Sequence, residues 1–228
     1  MRFKYIGIIY AVVIVGIVAA SSQAQSVEQK PDFGAYYYHK KSLFEALPNT
    51  SNEIILLGDS ITDGNEWSEL FGSSRLKNRG ISGDVTEGIL YRLSEVTESN
   101  PAQVFIMIGV NDLARGIPVD TVLSNYGKII DQIREESPDT EIYIQSILPV
   151  NDEFPQFSSH TDKTSQIKQA NVGLTELAKK TGATFINLFD DFSTAEAKLN
   201  PNYTEDGLHL NGQGYVVWKS VIGSYMDL

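Results

Sequence analysis

The chain has 228 residues, 42% hydrophobic and 21% charged, enough for one α/β domain with a full core. Its net charge of −11 leaves no electrostatic footprint for nucleic acid or for anionic membrane surfaces. The absence of cysteine excludes disulfides, thiolate metal sites and a lipid-modified cysteine tether.

At the N-terminus, Arg2 and Lys4 precede an apolar run over residues 6–20, followed by Ser22-Gln23-Ala24, a small-x-small cleavage pattern. The run is short of the roughly 20 apolar residues of a membrane span. Residues 1–24 are therefore expected to be a signal peptide and residues 25–228 one domain, with a retained anchor as the alternative. On this reading the protein is exported, periplasmic or secreted by a bacterium, with no stable membrane insertion after cleavage. Nothing in the sequence speaks to its oligomeric state.

Residues 25–34 are polar and are expected to be a loose lead-in. Tyr36-Tyr37-Tyr38-His39 and Leu43-Phe44-Glu45-Ala46-Leu47 then predict a short helix packing its aromatic side inward, with carbohydrate stacking as the other use of the tyrosines. His39 has no partner pattern and is read as structural. Strand-like runs follow at 54–57, 76–81, 104–108, 141–148 and 183–188. Between them lie helical spacings: Val85, Ile89, Leu93 and Val96; Val122, Tyr126, Ile129, Ile130 and Ile133; Ile167, Ala170, Leu174, Leu177 and Ala178. A closing helix carries Tyr215, Trp218, Val221, Ile222 and Tyr225. Strands alternating with helices, some of them apolar throughout, predict a three-layer α/β/α sandwich around a parallel sheet of about five strands.

In such a sheet the turns after successive strands share one edge. The first ends at Gly58-Asp59-Ser60, the second leads into Asn78-Arg79-Gly80-Ile81-Ser82-Gly83-Asp84, and the third ends at Gly109-Val110-Asn111-Asp112. Asp206-Gly207-Leu208-His209 precedes the last helix. Ser60, Gly83 and Asn111 can therefore converge despite their separation in sequence. A serine hydroxyl is a weak nucleophile that needs a base within hydrogen-bond reach, and His209 is the candidate. Asp206, three residues earlier, can turn back onto the imidazole to fix its tautomer. The backbone N–H groups of Ser60 and Gly83 and the side-chain amide of Asn111 supply three donors for an oxyanion. Taken singly, each has a plainer role as a turn former or cap. The only histidines are His39, His160 and His209, so a metal centre lacks obvious ligands.

Together these four blocks resemble the SGNH (GDSL-type) hydrolase superfamily, and they span most of the chain from Gly58 to His209. The first block has Ile61 where the family name has leucine, a comparable apolar residue. The resemblance implies a flavodoxin-like fold, ester hydrolysis, and no metal or organic cofactor. It makes Ser60 the nucleophile, His209 the base, Asp206 its orienting acid, and Ser60, Gly83 and Asn111 the oxyanion hole. Residues 78–85 with Leu90-Tyr91-Arg92-Leu93 are similar to the branch holding platelet-activating-factor acetylhydrolase-like and carbohydrate acetylesterase-like members. That branch implies short acyl groups, acetyl above all, on a small-molecule or glycan ester; the negative charge already speaks against a nucleic acid partner.

The leading expectation is an exported serine esterase removing acetyl groups from sugars. A lysophospholipase or thioesterase for longer acyl chains is the alternative, and a non-catalytic sugar-binding scaffold the competing class. Asp84 and Asp112 are expected to orient the loops beside them, and Asp63 to cap or close the turn after Ser60. Trp67 and the loop 151–160, with Phe154 and Phe157, either pack or line a substrate cleft. Arg115 is read as a surface arginine, with contact to an anionic substrate group as the other possibility.

Overall fold

The computed structural model describes residues 30–228, and residues 33–228 form a compact unit. The expected signal peptide at 1–24 lies outside the described residues. In chain order the elements are α1 (Ala35–Ala46), β1 (Ile54–Gly58), α2 (Ser60–Asp63), α3 (Trp67–Phe71), β2 (Leu76–Gly80), α4 (Thr86–Arg92), α5 (Ser94–Thr97), β3 (Gln103–Met107) and α6 (Val110–Ala114). They continue with α7 (Val119–Glu136), β4 (Glu141–Gln145), α8 (Ser158–Thr161), α9 (Thr164–Thr181), β5 (Thr184–Ile186), α10 (Phe189–Phe192) and α11 (Gly212–Ile222).

The five strands form one parallel sheet in the order β2-β1-β3-β4-β5. The sandwich expected from the alternating pattern is the observed fold. Every residue of β1 and β3 is buried, which is why these strands carry apolar side chains on both faces. Connections between parallel strands cross right-handedly, so the reversal of strand order at β1 sends helices to opposite faces. On one side α4 packs on α7 and α7 on α9; on the other α3 meets α11.

The long helices follow their apolar spacing. In α7, Val122, Tyr126, Ile129, Ile130 and Ile133 are buried, and the Tyr126 hydroxyl both donates to the Ile108 carbonyl and accepts from its N–H. In α9, Ile167, Ala170, Leu174 and Ala178 are buried, and the helix ends at Gly182, whose φ of 69° suits glycine. The single helix expected over Val85, Ile89, Leu93 and Val96 is divided. The Leu93 carbonyl accepts from the N–H groups of both Val96 and Thr97, a tightened turn that separates α4 from α5.

The reversal at β1 fixes where a crevice opens. β2 and β3 flank β1, with Gly58 in register with Gly80 on one side and Met107 on the other. The turns leaving these three strands therefore emerge side by side, as in other open α/β sheets.

Candidate active site

Ser60 is the first residue of α2, delivered by β1 through a turn that tolerates no side chain at Gly58. A Cβ there would lie 2.3 Å from Thr62 Oγ1 and 2.4 Å from the Met107 carbonyl. Asp59 caps α2, its carboxyl accepting from the Ile61 N–H at 3.0 Å. Two ring donors hold the same turn from below. Tyr215 donates to the Ile61 carbonyl at 2.9 Å, and Trp67 Nε1 to the Thr62 carbonyl at 2.8 Å. Trp67 is thus a core residue packed edge-on to Trp218, and it does not line the cleft.

Asp206 and His209 share a turn that precedes α11. Thr204 Oγ1 accepts from the Gly207 N–H at 2.9 Å, and the Gly207 carbonyl accepts from the Asn151 N–H at 2.9 Å. One Asp206 oxygen accepts from the backbone N–H groups of Leu208 and His209 at 2.9 and 2.8 Å. The other lies 2.7 Å from His209 Nδ1, and His209 Nε2 lies 3.0 Å from Ser60 Oγ. Burial works to raise the Asp206 pKa. The hydrogen bonds from the His209 ring and from the two backbone N–H groups outweigh it and hold the carboxyl below its usual range.

Gly83 and Asn111 face the same cleft as Ser60 and His209, a cavity of about 460 Å³. Gly83 sits at φ 79°, a conformation glycine adopts without strain. Among the described residues no protein acceptor takes the backbone N–H of Ser60 or of Gly83. Asn111 donates from Nδ2 to the Asp84 carbonyl at 2.9 Å, which leaves the second amide hydrogen free. The five residues singled out in the sequence, Ser60, Gly83 and Asn111 after strands and Asp206 and His209 before the last helix, are therefore brought together. The arrangement offers a hydroxyl hydrogen-bonded to an imidazole, that imidazole backed by a carboxylate, and three adjacent N–H donors.

A family model for the GDSL-like lipase/acylhydrolase family matches residues 56–217. The chain belongs to that family. Human platelet-activating factor acetylhydrolase IB subunit alpha1 is 24% identical over 169 residues, 72% of this chain and 70% of the relative. Among solved structures, a Streptococcus pneumonia protein named for platelet activating factor is 30% identical at TM-score 0.76, with 83% of this chain and 92% of that one covered. A GDSL-like lipase from Bacteroides thetaiotaomicron is 26% identical at TM-score 0.73, covering 83% and 96%. The Axe2 acetyl-xylooligosaccharide esterase of Geobacillus shares the fold, at 17% identity and TM-score 0.63 over 79% and 96% of the two chains. Membership of this acylhydrolase family supports hydrolysis of ester bonds.

Around this GDSL-family site, several residues have contacts that the sequence did not announce. His160, in the short helix α8 that follows the loop after β4, has Nε2 3.0 Å from Asn111 Oδ1. Phe157 from the same loop stands edge-on to both His209 and His160, with ring centroids 5.0 and 5.9 Å away, and lines the cleft; Phe154 instead packs against Gly207. Arg115 donates to the Gly83 carbonyl at 2.6 Å, so an exposed side chain holds the Gly83 turn. Asp63 accepts from Lys40 at 2.7 Å, from Tyr36 at 2.7 Å and from the Ser82 N–H at 3.3 Å, tying α1 to the site rather than capping its own turn. Asp112 accepts from the Thr86 hydroxyl at 2.6 Å and from its N–H, which joins the Asn111 turn to the start of α4. The aromatic cluster of α1 packs: Tyr37 is buried and donates to the Gly88 carbonyl, while Tyr36 keeps half its surface exposed.

Beneath the site lies a buried charge cluster. Arg92, fully buried, pairs with Asp84 at 3.0 Å and Glu95 at 3.2 Å, and donates to the carbonyls of Gly58 and Arg79. Arg79 meets Glu95 at 3.0 Å. Burial pushes the Asp84 carboxyl up to about 6, with Arg92 opposing the rise. Burial likewise pushes Asp59 up to about 7, against the Ile61 hydrogen bond. Among the described residues no group of three or more His, Asp or Glu side chains is gathered to hold a metal ion, and no helix is long and apolar enough to cross a membrane.

Proposed function

We propose that this chain is an exported serine esterase that removes acetyl groups from carbohydrate, without a metal or organic cofactor. The observation that carries the reading is the hydrogen-bonded run from Asp206 through His209 to Ser60, at 2.7 and 3.0 Å, opening on a cleft that Gly83 and Asn111 also line. Asp206 stays ionised and accepts the Nδ1 proton of His209, so Nε2 is left as an acceptor for the Ser60 hydroxyl. As Ser60 Oγ attacks the ester carbonyl carbon, its proton passes to Nε2 and the carbonyl π electrons move onto oxygen. The Ser60 N–H, the Gly83 N–H and the free Asn111 amide hydrogen stabilise that oxyanion. Collapse expels the sugar alkoxide, which takes the proton from His209 and leaves an acetyl-serine. Water, deprotonated by the same nitrogen, then repeats the sequence and releases acetate.

The acetyl preference draws on the cleft. Its apolar wall is short, consisting of Ala114, Phe157 and Leu208, whereas a fatty acyl chain needs a long apolar groove. The names of the platelet-activating factor acetylhydrolase relative and of the acetyl-xylooligosaccharide esterase fold neighbour agree with a short acyl group. Export rests on Arg2, Lys4 and the apolar run 6–20 followed by Ser22-Gln23-Ala24.

The test is hydrolysis of p-nitrophenyl esters from acetate to palmitate by residues 25–228 and by Ser60→Ala. Turnover restricted to acetate and butyrate, and lost in the variant, is the expected result and leads on to acetylated sugars. A maximum at long chains would replace the reading with a lysophospholipase, and no turnover of any ester with a binding scaffold.

A further inference from the structure

We propose that His160 is a positioning residue for the oxyanion hole, holding and polarising the Asn111 amide through its Nε2–H. The inference rests on the esterase reading above, and it adds a side chain to that site from the short helix α8 between β4 and α9.

The orientation of every group in this chain of hydrogen bonds follows from its ends. The Asp84 carbonyl can only accept, so the Asn111 atom facing it at 2.9 Å is Nδ2, and Oδ1 points the other way. An amide oxygen can only accept, so the imidazole nitrogen 3.0 Å from it, Nε2 of His160, carries a hydrogen. Nδ1 of the neutral ring is then an acceptor, and the Ser159 hydroxyl lies 3.2 Å from it. Burial lowers the His160 pKa first, and the nearby His209 and Arg115 lower it further, which agrees with a neutral ring. Phe157, edge-on to the imidazole, limits its rotation.

The consequence falls on the second Asn111 amide hydrogen. Asn111 is buried, so an unpartnered Oδ1 would be costly, and the amide would turn about its last torsion to seek another donor. His160 removes that incentive and fixes the plane in which the free N–H points. A donor on Oδ1 also draws electron density from the amide nitrogen, a cooperative gain of about 10–30% per bond. Both effects matter more as negative charge grows on the substrate oxygen than when the neutral ester binds. The effect should therefore appear in kcat and leave KM nearly unchanged.

The experiment compares p-nitrophenyl acetate kinetics for wild type, His160→Phe, His160→Gln, Asn111→Ala and the double variant His160→Phe with Asn111→Ala. We expect kcat to fall about 10- to 50-fold in His160→Phe at constant KM, as for weakening one oxyanion donor. Glutamine, whose amide N–H can reach Oδ1, should recover most of the loss. In the Asn111→Ala background His160→Phe should change kcat less than about twofold, because the two residues act as one unit. Full kcat in His160→Phe, or a loss that multiplies that of Asn111→Ala, would overturn the proposal. Should the phenylalanine variant fail to fold, His160→Ala serves in its place. An inactive wild type, or an active Ser60→Ala, would sink the esterase reading itself, an outcome distinct from an active enzyme indifferent to His160.

Discussion

Asp206 meets His209 twice: one carboxylate oxygen lies 2.7 Å from Nδ1, and the other accepts the backbone N–H of the same residue at 2.8 Å. The first contact fixes the ring tautomer and the second fixes the distance between the two residues, so the acid and the ring move as one piece. Asp206→Asn should keep the second contact through its amide oxygen while turning NH₂ toward Nδ1. The ring would then carry its proton on Nε2 and donate to Ser60 instead of accepting. We expect kcat to drop by roughly 10³–10⁴ with the fold unchanged. A steady-state assay beside a thermal melt checks it, and activity within tenfold of wild type would remove Asp206 from its proposed role.

Asn111→Ala removes the proposed oxyanion donor whose amide oxygen lies 3.0 Å from His160 Nε2. The expected loss is on the order of 10²–10³ in kcat, with little change in KM, as for other oxyanion donors. Asn111 also ties its turn to the Asp84 carbonyl, so a modest fall in melting temperature should accompany it. If kcat stayed at the wild-type level in a folded variant, the hole would have to be assigned to backbone groups alone.

The strand-end blocks were legible in the sequence because their signals are local. Gly58, Asp59 and Ser60 follow a buried apolar run directly, and Asp206 and His209 are three residues apart. Contacts across long separations were not legible. His160 finds Asn111 over 49 positions, and only the path of the loop after β4 decides that it does. Trp67 could equally have faced substrate, because an indole suits a sugar cleft as well as a core. Its Nε1–H and the packing surface of Trp218, neither visible as a pattern, place it inside. Arg92 stood in the Leu90-Tyr91-Arg92-Leu93 stretch that carries the branch resemblance, with no structural role attached to it. Nothing in its neighbours announced that four acceptor groups, the carboxylates of Asp84 and Glu95 and the carbonyls of Gly58 and Arg79, would surround it.

Arg92 joins the ends of β1 and β2 to the helix that follows the Gly83 turn, and its removal would leave Asp84 and Glu95 buried with less compensation. Breaking a buried pair by deleting one partner typically costs about 3–5 kcal/mol. Arg92→Leu should therefore lower stability by that order in urea denaturation. Restoring wild-type stability with Arg92→Leu alone would mean that the carboxylates find other partners or stay protonated.

Asp59 offers a prediction in which pH supplies the control. Its carboxyl is buried beside the carboxylates of Asp84 and Asp112, and its folded pKa of about 7 lies above the ordinary 3.8. A group with a raised folded pKa binds its proton more tightly in the folded state. Its stabilising contribution is therefore fully present below about pH 4 and is lost as pH rises through about 7. Asp59→Asn keeps an oxygen for the Ile61 N–H and cannot ionise. The difference in melting temperature between variant and wild type should move in favour of the variant from pH 5 to pH 8, and then level off. A difference that stayed flat across this range would show that Asp59 is already ionised in the folded protein at pH 5, and that its burial costs less than its surroundings imply.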